Sequence, residues 1–210
     1  SLAKKAIGAR VDGKLVDMTY VVEKDAKVEL VIPETEDGVE IIRHSTAHLM
    51  AQAVIRLFPG TKVSIGPSID KGFYYDFDPL NQFSEEDLIK IENEMKNIAK
   101  EDIKIVRHEI TREDAIEKFK AMGENYKVEI IESIPVGEIL SLYEQGEFID
   151  LCRGPHVPST RYLKAFKLTK VAGAYWRGDS KNKMLQRIYG YAFAEERELK
   201  EYLVQLEEAE

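Results

Sequence analysis

The sequence predicts an α+β fold in which a mainly antiparallel sheet packs against helices. Two kinds of pattern support this prediction. Turn dipeptides such as Asp12-Gly13 separate short strand-like segments, and capping residues such as Ser84 precede segments with helical periodicity. The chain has 210 residues, of which 44% are hydrophobic, so it is long enough for one compact domain, alone or with a smaller piece.

The composition excludes several classes of protein. A single cysteine, Cys152, rules out an intramolecular disulfide framework and is typical of a reducing compartment. No apolar run approaches the ~18 residues needed to span a bilayer, and no signal-peptide pattern is present, so we expect a cytoplasmic protein with no membrane partner. The net charge of −8 argues against a general nucleic-acid coat, although it allows a local basic surface.

Residues 1–38 are predicted to form a small three-strand unit. Asp12-Gly13 is a hairpin signal between two short strands, and Lys27–Ile32 alternates apolar and polar residues as a third strand does. Glu34–Gly38 is predicted to be a polar linker. Because so short a unit buries little core, we expect it either to lean on the rest of the chain or to lack an upstream half.

Helical patterns follow along the rest of the chain. Ile41–Phe58 is apolar nearly all round, which predicts a buried helix. Ser84 caps an amphipathic helix, Thr111 caps a shorter one, and Glu195–Glu210 is predicted to be an acidic helix. Tyr126–Ile134 fits both a strand and a helix. The predicted strands between these helices are Val63–Ile65, Phe73–Phe77, Ile103–Ile110, Ile139–Tyr143, Phe148–Cys152, Phe166–Trp176 and Met184–Phe193.

Three of the four histidines and the only cysteine fall into two short spacings. His44 and His48 lie one turn apart on one face of the apolar helix, and Cys152 and His156 flank one turn. A histidine ring buried without a hydrogen-bond partner would destabilise the fold by roughly 1–3 kcal/mol, so both helical histidines need partners. Three imidazoles and a thiolate are a set of ligands that can hold zinc in a tetrahedron.

The same residues allow plainer interpretations. An HxxxH pair on a helix is more often a pair of hydrogen-bonded core histidines, and a single cysteine usually acts as a small hydrophobe. A metalloprotease is disfavoured, because its zinc helix has a glutamate after the first histidine and this chain has Ser45. The joint occurrence of both spacings is what favours a site.

Several longer motifs point to one family. In order along the chain they are HSTAH (His44–His48), SIGPSIDKGFYYDFD (Ser64–Asp78), CRGPH (Cys152–His156), AGAYWRGD (Ala172–Asp179) and MLQRIYG (Met184–Gly190). Together they closely resemble the editing domain of bacterial-type threonyl-tRNA synthetases. The editing domain of alanyl-tRNA synthetases is similar at the HxxxH and CxxxH pairs only.

The resemblance implies three units along the chain. Residues 1–38 resemble the second half of a small ubiquitin-like, β-grasp-like TGS domain. Residues 39–193 resemble the editing domain, and residues 194–210 resemble the linker helix towards an aminoacylation domain. We therefore expect the chain to be a piece of a larger synthetase, which in this family is a homodimer.

The implied activity is post-transfer editing, the hydrolysis of serine wrongly esterified to the threonine tRNA. The implied partners are the acceptor end of that tRNA and the remainder of the synthetase. No class II catalytic motif is present, so we expect neither aminoacylation nor ATP binding. Two other functions stay open, namely a non-catalytic tRNA-binding or zinc-stabilised appendage and a stand-alone trans-editing deacylase.

The resemblance also carries roles onto individual residues. Those implied to be catalytic are His44, His48, Lys127, Cys152 and His156, and those implied to bind the substrate are Tyr75 and Asp150. From the residues alone, Lys127 would count as a surface lysine and Tyr75 as a core residue. We expect that editing requires no cofactor; if zinc is bound, its ligands are His44, His48, Cys152 and His156.

A basic segment is the candidate tRNA-binding surface. Residues 160–191 carry eight basic side chains and a single acid, Asp179, and hence a local charge of +7. The basic residues are Arg161, Lys164, Lys167, Lys170, Arg177, Lys181, Lys183 and Arg187. Aromatic residues that include Phe166 and Trp176 interleave with them, as in surfaces that hold a single-stranded RNA end by phosphate contacts and stacking. The alternative is a solvated strand face with core aromatics.

Overall fold

The computed structural model describes residues 1–210 and has the predicted α+β composition, with six α-helices and eleven strands. The helices are α1 (Leu2–Lys5), α2 (Glu36–Leu57), α3 (Glu85–Lys100), α4 (Arg112–Ala121), α5 (Asn125–Ser133) and α6 (Glu196–Glu208). The strands are β1 (Gly8–Val11), β2 (Lys14–Val16), β3 (Val28–Val31), β4 (Lys62–Val63), β5 (Ser68–Ile69), β6 (Gly72–Asp78), β7 (Ile105–Ile110), β8 (Leu140–Gln145), β9 (Phe148–Leu151), β10 (Ala165–Tyr175) and β11 (Met184–Phe193).

All strand pairs are antiparallel, as predicted, and they divide among three sheets. The N-terminal sheet has the order β2-β1-β3, and a second three-stranded sheet has the order β7-β8-β9. The largest sheet has the order β10-β11-β6-β4, with β5 also paired to β6. Helix α2 packs against β6 and β11, and α3 packs against β10, so the largest sheet and these two helices form the centre of the molecule.

Helix α2 begins at Glu36 rather than at the predicted Ile41. The Oγ1 of Thr35 accepts a hydrogen bond from the backbone N of Gly38 at 3.1 Å and caps the helix. The prediction of a polar linker over Glu34–Gly38 is therefore wrong, since most of this segment is the first helical turn. An added Cβ at Gly38 would overlap the backbone of Ile32, so the glycine allows a close approach here rather than a flexible joint.

The main hydrophobic core contains 29 buried residues and lies around α2. Helix α2 is buried on most of its surface, as its apolar sequence predicts. Ile7 and Val31 of the N-terminal unit belong to this same core, which matches the expectation that the unit leans on the rest of the chain. The ambiguous segment Tyr126–Ile134 forms α5, whose Val128 and Ile131 pack in a smaller cluster with α4.

The C-terminal helix α6 packs against the largest sheet. Leu199 is buried with Ala165 of β10 and Phe193 of β11, and the Tyr202 ring lies edge-on to Tyr191. The division of the chain into units 1–38, 39–193 and 194–210 stays a prediction. No helix has the length and apolar character required to cross a membrane.

Candidate active site

Two distant segments bring the histidines and the cysteine into one cluster. His44 and His48 project from α2, and Cys152 and His156 lie on the loop after β9. Their donor atoms all lie within 4.8 Å of one another. The Sγ of Cys152 is 3.3 Å from Nε2 of His44 and 3.2 Å from Nε2 of His156. The two spacings found in the sequence thus meet at a single site.

Burial sets the protonation of this cluster. It lowers the pKa of His48 to about 3, although the nearby Asp150 carboxylate opposes the shift. Burial also lowers the pKa of His44 and takes that of His156 well below its usual value. The same cause raises the pKa of the Cys152 thiol to about 12. At neutral pH the site therefore contains three neutral imidazoles and a protonated thiol.

Ser45 orients one of the imidazoles, a role that the sequence analysis missed. Its Oγ lies 2.9 Å from Nδ1 of His156 and accepts a hydrogen bond from the backbone N of Val157 at 3.1 Å. The side chain is fully buried and directly follows His44 in α2. The only available signal was a serine at a buried position of an apolar helix, where a hydroxyl needs a partner.

A second buried group of polar side chains lies beside the cluster. Tyr75 of β6 donates a hydrogen bond from Oη to Oδ2 of Asp150 at 2.6 Å, and Nε2 of His48 is 3.2 Å from the same oxygen. Nζ of Lys127 on α5 forms an ion pair with Oδ1 of Asp150 at 2.5 Å. Tyr75, Lys127 and Asp150 are at most 3% exposed. All seven predicted catalytic and substrate-binding residues are thus brought together.

The carboxylate of Asp150 carries the negative charge of this group. Burial alone would raise its pKa, but the Lys127 ammonium and the hydrogen bond from Tyr75 outweigh burial and lower it, so the group is ionised. Burial raises the pKa of Tyr75, whose phenol stays protonated and donates. Lys127 is the one group that contacts Oδ1 of Asp150, so this oxygen keeps a lone pair for a further donor. A buried acceptor of this kind can take a hydrogen bond from a cationic ligand group.

The position of Tyr75 depends on a glycine in the loop before β5. An added Cβ at Gly66 would overlap the Tyr75 ring, so only glycine leaves room for the ring at this place. The Phe77 ring, on the same face of β6, stacks on the Tyr75 ring with centroids 4.9 Å apart. The motif from Ser64 to Asp78 therefore places the phenol at Asp150 by packing as well as by hydrogen bonding.

The predicted tRNA-binding residues are spread over an exposed surface around β10 and β11. Seven of the eight are exposed, whereas Arg187 is half-buried and forms two hydrogen bonds with Asp76, at 2.7 and 3.0 Å. Lys183 pairs with Asp78 at 2.9 Å and Lys167 with Glu92 at 3.4 Å. The exposed residues are Arg161, Lys164, Lys167, Lys170, Arg177, Lys181 and Lys183.

Two of the aromatic residues predicted to interleave with these charges belong to the core. Phe166 and Trp176 are 5% and 8% exposed, which leaves no ring face free to stack on a base. Tyr175, by contrast, is 41% exposed. The alternative of a solvated strand face with core aromatics therefore applies to Phe166 and Trp176.

Comparison with protein families divides the chain in the same order as its motifs. Residues 140–189, which include the Cys152–His156 loop, match the model described as the threonyl and alanyl tRNA synthetase second additional domain. Residues 1–32 match the TGS domain. Fold, site and family matches therefore define a chain that combines a TGS domain with the second additional domain of threonyl and alanyl tRNA synthetases.

Whole-chain comparisons give the more specific assignment. The chain is 64% identical over 211 residues to threonine–tRNA ligase from Fusobacterium nucleatum subsp. nucleatum. It is 60% identical to the ligase from Legionella pneumophila and 59% identical to that from Marinobacter nauticus, over 209 residues each. The matches include 100% of this chain and 34%, 33% and 33% of those ligases.

The chain is thus a homologue of threonine–tRNA ligase, and the family predicted from the motifs is confirmed. It spans about a third of the length of the curated relatives it matches.

Proposed function

We propose that the chain hydrolyses the ester of serine wrongly attached to the threonine tRNA, as the post-transfer editing part of a threonine–tRNA ligase. The observation that supports this proposal most directly is the meeting of His44, His48, Cys152 and His156 beside the ionised Asp150. Such a site offers groups that hold water next to a group that attracts an amine. The match to the second additional domain supports the same assignment.

The chemistry of the two amino acids explains why such an activity is needed. Serine lacks one methyl group of threonine, and one missing methyl changes binding by only about 1–3 kcal/mol. A synthesis site therefore admits some serine, and a second site has to remove it. That second site needs only to exclude the additional methyl and to hydrolyse the esters that fit.

We assign substrate recognition to Asp150. Its carboxylate is ionised and buried, so it attracts the ammonium group of an esterified serine. Tyr75 and His48 hold Oδ2 and thereby orient Oδ1, whose one contact is Lys127, for the substrate amine. Tyr75 is in this assignment a substrate-positioning residue.

Ester hydrolysis needs a positioned water, a stabilised oxyanion and a proton for the leaving ribose hydroxyl. We assign the first task to the imidazoles of His44 and His48, which are neutral and can accept hydrogen bonds from water. His156, whose ring nitrogens contact Ser45 and Cys152, supports them from behind. With a pKa of about 3, His48 is a weak base, so it holds water rather than removing its proton outright. The Lys127 ammonium supplies positive charge beside the developing oxyanion.

The four residues of the cluster also fit a metal ion. Sulfur and nitrogen donors 3.2–3.3 Å apart are close to the edge of a tetrahedron around zinc, whose bonds are about 2.0–2.3 Å long. A zinc ion held by His44, His48, Cys152 and His156 would polarise the ester carbonyl or lower the pKa of a bound water. We propose that editing needs no such ion, because Cys152 and Ser45 already partner His156, Asp150 partners His48, and Lys127 supplies the charge.

Outside the site, we propose that the exposed basic surface around β10 and β11 contacts the acceptor end of the tRNA. Phosphate contacts need flexible cationic side chains in solvent, and Lys164 and Lys181 are exposed side chains of this kind. We further propose that the rest of the ligase is the second partner, that the ligase acts in the cytoplasm as a homodimer, and that this part of it does not bind ATP. The units 1–38, 39–193 and 194–210 are part of the same proposal.

The proposal is tested by single-turnover deacylation of threonine tRNA charged with serine. We expect the chain to release serine and to leave the threonyl ester intact. His48→Ala should slow release roughly 100-fold or more, because it removes a ring that holds both water and Asp150. His108→Ala is the matched control, since His108 lies exposed on β7 and contacts only Glu144 among the acids.

Three outcomes would contradict the proposal in different ways. Binding of tRNA without faster release of serine would favour the non-catalytic appendage. Loss of activity with a chelator, restored by zinc, would overturn the metal-independent mechanism. Equal loss in His48→Ala and His108→Ala would show that the buried cluster is not the site.

A further inference from the structure

A carboxylate of the N-terminal unit reaches the loop that carries His156. Asp17, directly after β2, accepts a hydrogen bond from the backbone N of His156 to Oδ1 at 2.7 Å. Its other oxygen, Oδ2, accepts a hydrogen bond from Oη of Tyr143 at 2.6 Å. Both bonds connect residues more than 120 positions apart in the sequence. Asp17 therefore joins the N-terminal sheet directly to the proposed site.

Tyr143 is itself in contact with the catalytic loop. It lies on β8, is 2% exposed, and packs edge-on against the His156 ring with centroids 4.4 Å apart. Burial raises the pKa of its phenol, which therefore stays protonated and donates to Asp17. One carboxylate thus holds the main chain of His156 and also the aromatic ring that supports its imidazole.

The loop between Cys152 and His156 packs closely against the Tyr143 hydroxyl. An added Cβ at Gly154 would overlap this hydroxyl, and Gly154 has a φ of 71°, a conformation that other residues rarely adopt. The backbone N of Gly154 donates to Sγ of Cys152 at 3.3 Å. If Tyr143 were displaced, we therefore expect Gly154 to move and its hydrogen bond to the Cys152 sulfur to change.

Asp17 and Ser45 fix His156 from different elements. Ser45 of α2 contacts Nδ1 of the ring, whereas Asp17 contacts the main-chain nitrogen of the same residue. Hydrogen bonds to an ionised carboxylate are roughly twice as strong as those between neutral groups. Small errors in the position of a reacting group are costly, since a displacement of about 1 Å can slow a reaction roughly 100-fold.

We propose that Asp17 is a positioning residue of the editing site, so that the N-terminal TGS unit completes this site. The expected effect of Asp17 on catalysis rests on the proposed function, whereas its effect on the position of His156 does not. Asp17 touches neither the ester nor the water; it acts through His156 and Tyr143. Its effect should therefore appear in the rate of the bound complex and not in tRNA affinity.

The experiment compares Asp17→Ala, Asp17→Asn and Tyr143→Phe in the full chain. Asp37→Asn is the matched control, because Asp37 also joins the N-terminal unit to α2, through Arg10 at 2.7 and 2.8 Å, without touching the loop. Two quantities are measured: the hydrogen-exchange rate of the His156 amide, and the single-turnover rate of serine release at saturating chain.

We expect Asp17→Ala to accelerate exchange of the His156 amide at least tenfold and to slow serine release about tenfold or more, with tRNA affinity changed less than twofold. Asp17→Asn should restore part of both effects, since its carbonyl oxygen can still accept one of the two bonds. Tyr143→Phe should slow release while leaving the His156 amide protected. Asp37→Asn should behave as the unmodified chain in both measurements.

Unchanged exchange of the His156 amide in Asp17→Ala would overturn the proposal. The same holds if Asp37→Asn slows release as much as Asp17→Ala does, since the N-terminal unit would then act only on general stability. If the unmodified chain releases no serine, the proposed function fails, and the exchange measurement alone decides whether Asp17 holds the loop.

Discussion

Charged side chains are buried at the candidate active site, whereas they are exposed to solvent on the basic surface around β10 and β11. In the group around Asp150, which lies beside the cluster, Asp150 and Lys127 are 1% and 3% exposed, and the side chains that contact Asp150 come from different elements of the fold. On the basic surface, Lys164 and Lys181 are exposed and reach freely into solvent. The buried site therefore depends on the fixed positions of its side chains, whereas the basic surface depends on its total charge.

This difference has an energetic cause. A buried ion pair is costly to desolvate, and removing one partner leaves a charge in a medium that cannot solvate it. A single exposed ion pair contributes about 0–1 kcal/mol and is screened by salt. We therefore expect single substitutions to have large, salt-independent effects in the cluster and small, salt-dependent effects on the surface.

The largest effect is expected for Lys127→Met. It leaves the Asp150 carboxylate buried without its opposite charge, which should lower the free energy of unfolding by about 3–5 kcal/mol. It also removes the positive charge near the oxyanion, which should slow serine release roughly 100–1000-fold. Urea denaturation and single-turnover deacylation measure the two losses separately.

The double variant Lys127→Met with Asp150→Asn separates folding from chemistry. It removes both charges, so stability should return most of the way towards that of the unmodified chain, while hydrolysis stays lost. Recovery of hydrolysis in the double variant would refute both the catalytic role of Lys127 and the substrate-binding role of Asp150.

A smaller effect is expected for Gly66→Ala, which changes no charge. The new methyl group would overlap the Tyr75 ring and displace the phenol from Asp150, so serine release should slow roughly 10–100-fold. Gly173→Ala on β10 is the matched control, because the three atoms nearest to its methyl group belong to the flexible side chain of Met184. Deacylation rates that fall equally in both variants would show that the effect is not transmitted through Tyr75.

The sequence predicts the cluster better than the group around Asp150. Two histidines spaced i, i+4 on an apolar helix define a face, and a turn joins Cys152 to His156, so both halves of the cluster follow from local spacing. Lys127 is different, because its segment fits strand and helix alike and most lysines are exposed. Only the family resemblance singles it out, and only the packing of α5 explains its burial.

In the fold, too, local signals are predicted from the sequence and long-range contacts are not. Ser84 begins α3 with a capping box, which is a local signal and is predicted correctly. Thr35 caps α2 with equal effect, but Gly38 and the surrounding acids suggest a linker until the close packing on Ile32 is known. Contacts such as those of Asp17 and Ser45 join residues more than 100 positions apart, and no pattern in one sequence indicates them.

The smallest effect is expected on the basic surface. Replacing Lys164 and Lys181 together by Gln removes two exposed charges but no ion pair of the structure. If both contact phosphates of a single strand, the slope of log binding against log salt should become shallower by about 1.4, since each contact contributes about 0.7. Filter binding of tRNA between 50 and 200 mM salt, over which the Debye length falls about twofold, measures this slope.

Lys4→Gln with Lys120→Gln is the matched control, since both lysines are exposed and lie on α1 and α4, outside the basic surface. An equal change of slope in the control pair would mean that the tRNA senses only net charge. A change confined to Lys164 and Lys181, with serine release at saturating chain kept, would assign recognition to the surface and chemistry to the cluster. A loss of release rate at saturation would instead join the two regions into one functional unit, because exposed charges would then be setting the geometry of the buried site.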